Sequence, residues 1–375
     1  MAGIYIHIPF CKKACHYCNF HFSTNLGTKN LMVDAICSEI KLKHELIHQE
    51  VIHSVYFGGG TPSMLDQSEL DRIMNTLNKH FLIAGTAEIT LEANPDDLTK
   101  QKSLELQKSG INRLSMGVQS FFDKDLTWMG RAHTAKQAKE SILDAIDSGI
   151  HNISVDLIYG SPTTTHIMWE TNLLEAIKLG IPHISSYCLT VEENTALAHK
   201  IHNGKTIGPD SDQASDQFDI LMNVLESADY DHYEISNFAR NGFIAVHNTN
   251  YWKGIPYLGI GPSAHSYYND SRSWNIAHNM KYIENIQQGN IPEEREMLSI
   301  IMKYNEYVMT GLRTKWGVQK AHIEQLGEDI LAHFEKNIER HVINKMVNET
   351  EGSIVLTRAG KYYADRIAMD LFMSN

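Results

Sequence analysis

The chain has 375 residues, 42% apolar and 21% charged, which is enough for one barrel-sized domain and an appendage and is ordinary for a globular protein. Its formal net charge of −12 argues against nucleic acid or an anionic membrane surface as a partner, because both repel an acidic chain at long range. No run of about 18 apolar residues marks a membrane span. The opening MAGIYIHIPF lacks the features of a signal peptide, and five cysteines, three of them crowded together, argue against a disulfide framework, so a cytoplasmic location is expected.

In chain order, short apolar runs at 3–9, 53–60, 87–95, 112–120, 152–160 and 183–190 predict strands. Between them lie stretches with apolar residues at i, i+3/i+4, clearest in QSELDRIMNTLNKHF (67–81) and AKQAKESILDAIDSG (135–149). This alternation predicts a parallel sheet wound with helices: an α/β fold, with a partial (β/α)6-type barrel over residues 1–240. Residues 241–290, rich in Gly, Asn and aromatics, read as an irregular connecting region with short strands. Residues 291–375 read as a mostly helical domain, in which SIVLT (353–357) adds a short β segment and a winged-helix-like character. The acidic chain disfavours DNA binding for that module.

FCKKACHYCNF (10–20) sets Cys11, Cys15 and Cys18 at C-x₃-C-x₂-C spacing just after the first predicted strand. Two metal readings are open. Structural zinc takes four ligands, and His7, His16 or His21 could complete it, although no second CxxC pair is present. An iron–sulfur cluster takes thiolates, and three of them on a four-iron cluster leave one iron free for an external ligand. With Tyr17 before the last cysteine, the triplet resembles the signature of radical S-adenosylmethionine (SAM) enzymes, which favours the cluster. Cys37 and Cys188 stand alone and read as small buried hydrophobes.

Other strand ends carry polar candidates. In YFGGGTPS (56–63) the glycines let backbone groups approach a ligand, and no GK[ST] follows to make a phosphate loop. Glu92, Gln119 and Asp156 fall at or near the carboxyl ends of successive strands, and Arg131 opens RAHTA before a helix. In a β/α barrel such groups converge on one pocket. Carboxylates suit ribose hydroxyls and a guanidinium suits an α-carboxylate.

YIHIPFC, FGGGTPS, LEANPDD, RLSMGVQSF and VDLIYG together resemble the oxygen-independent coproporphyrinogen III oxidase family of radical SAM proteins, from residue 4 to the C-terminus. The resemblance implies a [4Fe-4S] cluster on Cys11, Cys15 and Cys18, whose unique iron would chelate SAM. By matching positions it implies that Tyr5, Tyr17, Gly59, Gly60, Thr61, Glu92, Gln119, Arg131 and Asp156 line the SAM site. An electron from a low-potential donor, a flavodoxin or ferredoxin by analogy, would then cleave SAM to methionine and a 5′-deoxyadenosyl radical.

Two departures weigh against the oxidase activity itself. The oxidase motif resembles C-x₃-C-x₂-C-x-C, and Phe20 stands where its extra cysteine would be. The oxidase also carries a long segment before the cluster, whereas only ten residues precede Cys11 here. HNTNYW (247–252), after YEISNFAR (233–240), instead resembles the H-N-x-x-Y-W motif of the family's heme chaperone branch. That resemblance implies a protein that binds heme, a [4Fe-4S] cluster and SAM and passes heme to acceptor, respiratory hemoproteins; the alternative is coproporphyrinogen III oxidase. His247 is the candidate iron ligand and His265 a second, with Tyr251 and Trp252 offering flat apolar surface. Arg240 and Lys253 are candidate propionate partners, and the motif is expected to flank the barrel mouth. The competing readings are packing roles for His247 and Trp252, and a zinc-stabilised scaffold that only binds partners.

Overall fold

The apolar runs become strands because their β-branched and aromatic residues alternate between a dry face and a polar one. The computed structural model describes residues 1–374. Strands β1 (Ala2–Ile8), β2 (Val51–Gly59), β3 (Leu82–Ala93), β4 (Arg113–Gln119), β5 (Asn152–Tyr159) and β6 (His183–Cys188) pair in parallel, in that order. Around them run α1 (Lys29–Lys43), α2 (Gln67–His80), α3 (Lys100–Lys108), α4 (Asp123–Met129), α5 (Ala135–Asp147), α6 (His166–Lys178), α7 (Ala196–His202) and α8 (Ser211–Ser227). Helix starts are written locally: Asp66 with Glu69 and Thr134 with Gln137 form capping boxes on α2 and α5. Side chains such as Ile4, Ile6, Val55, Phe57, Leu91 and Leu114 form the buried core under the helices. Their neighbours Tyr5, His7, Ser54, Glu88, Glu92, Arg113 and Asp156 occupy alternate positions and so line the lumen.

The sheet continues past both edges. β7 (Asp231–Glu234) and β8 (Asn237–Ala239) extend it beyond β6. On the other side β9 (Tyr257–Ile260) pairs in parallel with β1, followed by antiparallel β10 (His265–Tyr268), β11 (Ser271–Asn275) and β12 (Glu293–Met297). The result is one mixed sheet of 12 strands that stays open, a partial barrel with an extension.

The 241–290 stretch departs from the irregular connection expected. HNTNYW forms a helix, α9 (Val246–Trp252), and β9 to β11 belong to the main sheet. No side chain at Ala245 caps α9; instead Glu88 accepts the N–H groups of Val246 and His247, each at 3.1 Å. That cap comes from β3, far away in sequence. Because Glu88 pairs with Ser54, and Ser54 with Gly3 near the start of β1, α9 docks at the end of the barrel opposite the cysteine loop. The motif therefore does not flank the mouth.

Helices α10 (Asn279–Gln287) and α1 cover the back of the extension. Beyond them α11 (Ile300–Leu312), α12 (Lys320–Leu326), α13 (Glu328–Ile343), α14 (Arg358–Lys361) and α15 (Ala364–Leu371) form a helical region. A three-stranded antiparallel sheet, β13 (Val318–Gln319), β15 (Ser353–Leu356) and β14 (Val347–Thr350), gives it the expected winged-helix-like form. Tyr304, Phe334, Ile354 and Leu371 are fully buried at its core.

A buried charge cluster fastens the extension to α1. Lys43 Nζ lies 2.8 Å from Glu39 and 3.0 Å from Glu293, and also donates to Asn275 Oδ1 at 3.1 Å. Glu39 in turn accepts from Gly261 N–H at 2.7 Å, Asn275 at 2.6 Å and Tyr282 at 2.5 Å. Removing one partner strands a buried charge. Lys43→Met should lower unfolding free energy by about 3–5 kcal/mol in urea titrations. Glu39→Gln combined with Lys43→Met should cost clearly less than the sum of the two single changes.

Candidate functional site

The cysteine loop follows β1 and is pinned from several sides. Cys11 N–H donates to Ser23 O and Ser23 N–H to Pro9 O, closing the loop on itself. His16 N–H donates to Met129 O at 3.0 Å, and its ring hydrogen-bonds Trp128 O at 2.8 Å. The glycine turn after β2 holds the other flank: Gly60 N–H donates to Ile8 O and Thr61 N–H to Phe10 O. Neither glycine tolerates a side chain. A Cβ on Gly59, at φ +108°, would meet the His7 ring at 2.5 Å, and one on Gly60 would meet Phe10 O at 2.6 Å.

Above the strands' carboxyl ends lies a cleft of about 440 Å³. Cys11, Cys15, Cys18, Tyr17, Gly59, Gly60, Thr61, Glu92, Gln119, Arg131 and Asp156 all line it. Tyr5 does not: it lies deeper in the lumen, stacked on Tyr56 at 6.1 Å, with its hydroxyl 3.2 Å from His7 Nδ1. Cys37 is buried, but Cys188 is exposed and lines the cleft, because β6 ends there and leaves no covering layer. Phe20, at the position of the oxidase's extra cysteine, is 68% exposed at the rim. Sequence reasoning also missed Asn94, whose amide bridges the groups around it.

Arg131 organises this cleft. Gly130 ends α4 in the left-handed conformation, and Arg131 then turns back inward. Its guanidinium donates to Cys15 Sγ at 3.2 Å, Asn94 Oδ1 at 2.5 Å and Gly117 O at 2.7 Å. Asn94 passes the contact on to Thr61 Oγ1 at 3.0 Å, and Thr61 donates to Cys11 Sγ at 3.4 Å. Burial alone would drive Arg131 toward neutrality, but Tyr17 and Cys15 more than offset it and keep the guanidinium charged. Gln119 holds a left-handed φ of 66°, which for a non-glycine residue costs on the order of 1–3 kcal/mol and is typical of functional positions.

The carboxylates are held against their preference. Burial pushes Glu92 up to about 7, with Asp156 adding to the rise, despite hydrogen bonds from Tyr56 at 2.9 Å and Gly59 N–H at 3.1 Å. Burial likewise raises Asp156 to about 6, against the pull of Ser185, Arg113 and Ser115. Burial lifts the Cys11 thiol to about 11 despite its hydrogen bond from Thr61, with Cys18 and Cys15 adding to the rise. Three thiols and two carboxylates thus outnumber the cations near them, Arg131, Arg113 and Lys13, and a cationic ligand would suit the cleft.

The donor set fits an iron–sulfur cluster better than zinc. Thiols are the usual cluster ligands. Among the described residues no three His, Cys, Asp or Glu side chains converge on a single-ion position. The histidines that could have completed a zinc site are engaged elsewhere: His7 on His21 O, His16 on Trp128 O and His21 on Asn279. Glu92 and Asp156 could accept from ribose hydroxyls and balance a sulfonium, and Arg131 could hold an α-carboxylate.

The heme candidates lie elsewhere. His247 shares a 2.9 Å hydrogen bond between its Nδ1 and Ser54 Oγ, and its ring stacks on Tyr56 at 5.1 Å and Tyr5 at 6.4 Å. Burial and Arg113 lower its pKa to about 4. Tyr251 is half exposed on the outer side of α9, edge-on to Trp252 at 5.5 Å. Trp252 takes the Arg313 guanidinium on its face at 5.4 Å. Arg240 and Lys253 lie over the rings of Tyr230 at 5.1 Å and Trp316 at 4.2 Å.

The raised carboxylates give a pH signature. A group with a pKa near 7 is mostly neutral at pH 6 and mostly ionised at pH 8, so affinity for cationic SAM should rise as pH increases, by up to about tenfold across that window. Calorimetric titration of the cluster-loaded protein with SAM should show this rise, and Glu92→Gln should bind more weakly with a flattened profile.

Comparison with known proteins agrees with this geometry. Residues 5–174 match the model of the radical SAM superfamily, and residues 298–363 match that of the HemN C-terminal domain. The chain is 32% identical over 376 residues to a Bacillus subtilis protein named heme chaperone HemW, covering 98% of both chains. It is 30% identical over 374 residues to a Mycobacterium tuberculosis protein of the same name, covering 98% of this chain and 94% of that one. The solved structure of coproporphyrinogen III oxidase (HemN) from Escherichia coli matches with a TM-score of 0.86 at 24% identity, over 99% of this chain and 90% of that one, a likeness of fold. With its cysteine cleft, its polar strand ends and its end-to-end match to these relatives, the chain belongs to the HemW family of radical SAM proteins.

Proposed function

We propose that this chain is a heme chaperone: it holds a [4Fe-4S] cluster on Cys11, Cys15 and Cys18, binds SAM in the adjoining cleft, and binds heme for transfer to an acceptor hemoprotein. When bound, cluster and SAM would supply reductive cleavage of the sulfonium. The chain's own part is to orient both ligands. Arg131 balances the thiolates, Glu92 and Asp156 face the nucleoside, Gln119 and the Gly59–Gly60–Thr61 turn shape the wall, and Tyr17 closes the loop. Tyr5 supports the wall from below by its contact with His7.

The observation that carries the chaperone reading is the separation of two polar–aromatic centres. The cleft lies at the carboxyl ends of the strands, while Tyr251 and Trp252 lie on the outer side of a helix docked at the amino ends. An oxidase must bring its porphyrinogen to the cleft, where the radical would form. A chaperone has no such need and can hold heme on a separate surface. Phe20 agrees with this, since it offers no further thiolate at the rim. Relatives over the whole length of the chain carry the name heme chaperone.

The test is anaerobic. Cluster-loaded protein should take up about one equivalent of hemin per chain and pass it to an apo-hemoprotein, followed by the shift of the Soret band. With coproporphyrinogen III, SAM and a reductant it should form no protoporphyrinogen over many turnovers. Steady production of protoporphyrinogen would instead establish the oxidase activity.

A further inference from the structure

Below Asp156 the lumen holds a line of hydrogen bonds that none of the roles above uses. Alternate residues of β5 and β6 face inward, and in register Ser154 pairs with His183 and Asp156 with Ser185. Ser154 Oγ lies 2.7 Å from His183 Nδ1 and 3.2 Å from Ser185 Oγ. The Ser185 hydroxyl in turn acts on the Asp156 carboxylate as a hydrogen-bond donor. At the other end His183 Nε2 lies 2.7 Å from the hydroxyl of Tyr233 on β7. Ser154, His183 and Tyr233 are fully buried, and Ser185 is nearly so. The line Tyr233–His183–Ser154–Ser185 therefore runs from the last strand of the sheet to the cleft, which Asp156 lines.

The line has a direction. A neutral imidazole carries one proton, and the hydrogen bond at one ring nitrogen decides which nitrogen holds it. Burial, with Arg113 adding to it, lowers the His183 pKa well below its ordinary value, so the ring is neutral. Among the described residues the Tyr233 side chain hydrogen-bonds His183 alone, while the backbone N–H of Ala245 faces the phenol oxygen. The Tyr233 O–H therefore donates into Nε2, which leaves the ring proton on Nδ1 for Ser154. Ser154 accepts there and donates to Ser185, which donates to Asp156. Every donor points toward the carboxylate, an order that favours its ionised form.

The other neighbours of Asp156 hold it less closely. Ser115 reaches both carboxylate oxygens only at 3.4 Å, Arg113 and Arg131 act through their charge, and Glu92 faces it as a like charge. Tyr233 is itself seated by the C-terminal region. Lys315, in the turn between α11 and β13, donates its N–H to Tyr233 O at 2.9 Å, and the Trp316 ring lies 6.2 Å from the tyrosine ring.

Resting on the SAM-binding reading above, we infer that His183 is a positioning residue for the nucleoside: Tyr233 locks its ring as the Nδ1–H tautomer, and through Ser154 and Ser185 that tautomer holds Asp156 as an acceptor for ribose hydroxyls. The seating of the C-terminal region on β7 thus reaches the cleft through the lumen.

Two measurements test this, one of them without any ligand. In full-length protein carrying nitrogen-15 histidine, the His183 signals, assigned by their loss in His183→Asn, should report the neutral Nδ1–H tautomer from about pH 6 to about pH 8. Tyr233→Phe should release the ring to exchange between tautomers. An Nε2–H ring in the wild-type protein overturns the inference. In calorimetric titrations of cluster-loaded protein, Tyr233→Phe and Ser154→Ala remove no group that lines the cleft. Each should nevertheless weaken SAM binding by about threefold to tenfold, the size of one net hydrogen bond, and should move the rise of affinity to higher pH, because an ionised Asp156 has lost a donor. His183→Asn, whose amide can replace the Nδ1–H donor, should stay close to wild type. Wild-type affinity in both Tyr233→Phe and Ser154→Ala, or weaker binding with an unshifted pH profile, overturns the inference while leaving the SAM reading intact. Failure of the cluster-loaded wild-type protein to bind SAM overturns that reading and this inference with it.

Discussion

Positive charge is scarce where this protein gathers its most reactive groups. Three thiols, Glu92 and Asp156 face one cleft; Arg131 is the buried cation hydrogen-bonded among them, and Arg113 lies close enough below to act on Asp156. In a low-dielectric site such a deficit cannot be left standing. The unliganded chain meets it by keeping protons on: Cys11 rises to about 11, Glu92 to about 7 and Asp156 to about 6. The proposed cluster and the sulfonium of SAM would meet it in another way, by displacing those protons. Binding of such ligands in the cleft would therefore be coupled to pH.

The same barrel is closed differently at its other end. Glu88 caps α9 and holds His247 beneath Tyr5 and Tyr56, and Tyr56 in turn donates to Glu92 in the cleft. A short column of side chains thus connects the floor to the cleft. The sheet extension carries the surface aromatics away from the cleft, and the Glu39–Lys43 cluster anchors that extension to α1.

Much of the cleft was legible because it is written locally. Cysteine spacing, glycines after a strand and polar residues at strand ends each need only a few consecutive residues, and parallel β/α topology brings them together. What was not legible depends on distant partners. The helix at HNTNYW takes its cap from Glu88 on β3, so no local sequence signal announces it. The sheet extension depends on β9 pairing with β1, between residues some 250 positions apart. Tyr5 alternates into the lumen like Glu92 but sits too low to reach the cleft. Cys188 looks like a lone core thiol in sequence and becomes exposed because β6 stops there. Asn94 matters only through its simultaneous contacts with Thr61 and Arg131.

The most direct test of the account is the metal content of anaerobically reconstituted protein, read together with the electron paramagnetic resonance of the reduced cluster before and after SAM addition. The account predicts about four irons and four sulfides per chain, a spectrum that changes when SAM binds, and loss of both in Cys15→Ser. Full iron uptake after serines replace Cys11, Cys15 and Cys18, or a cluster whose spectrum ignores SAM, would contradict it.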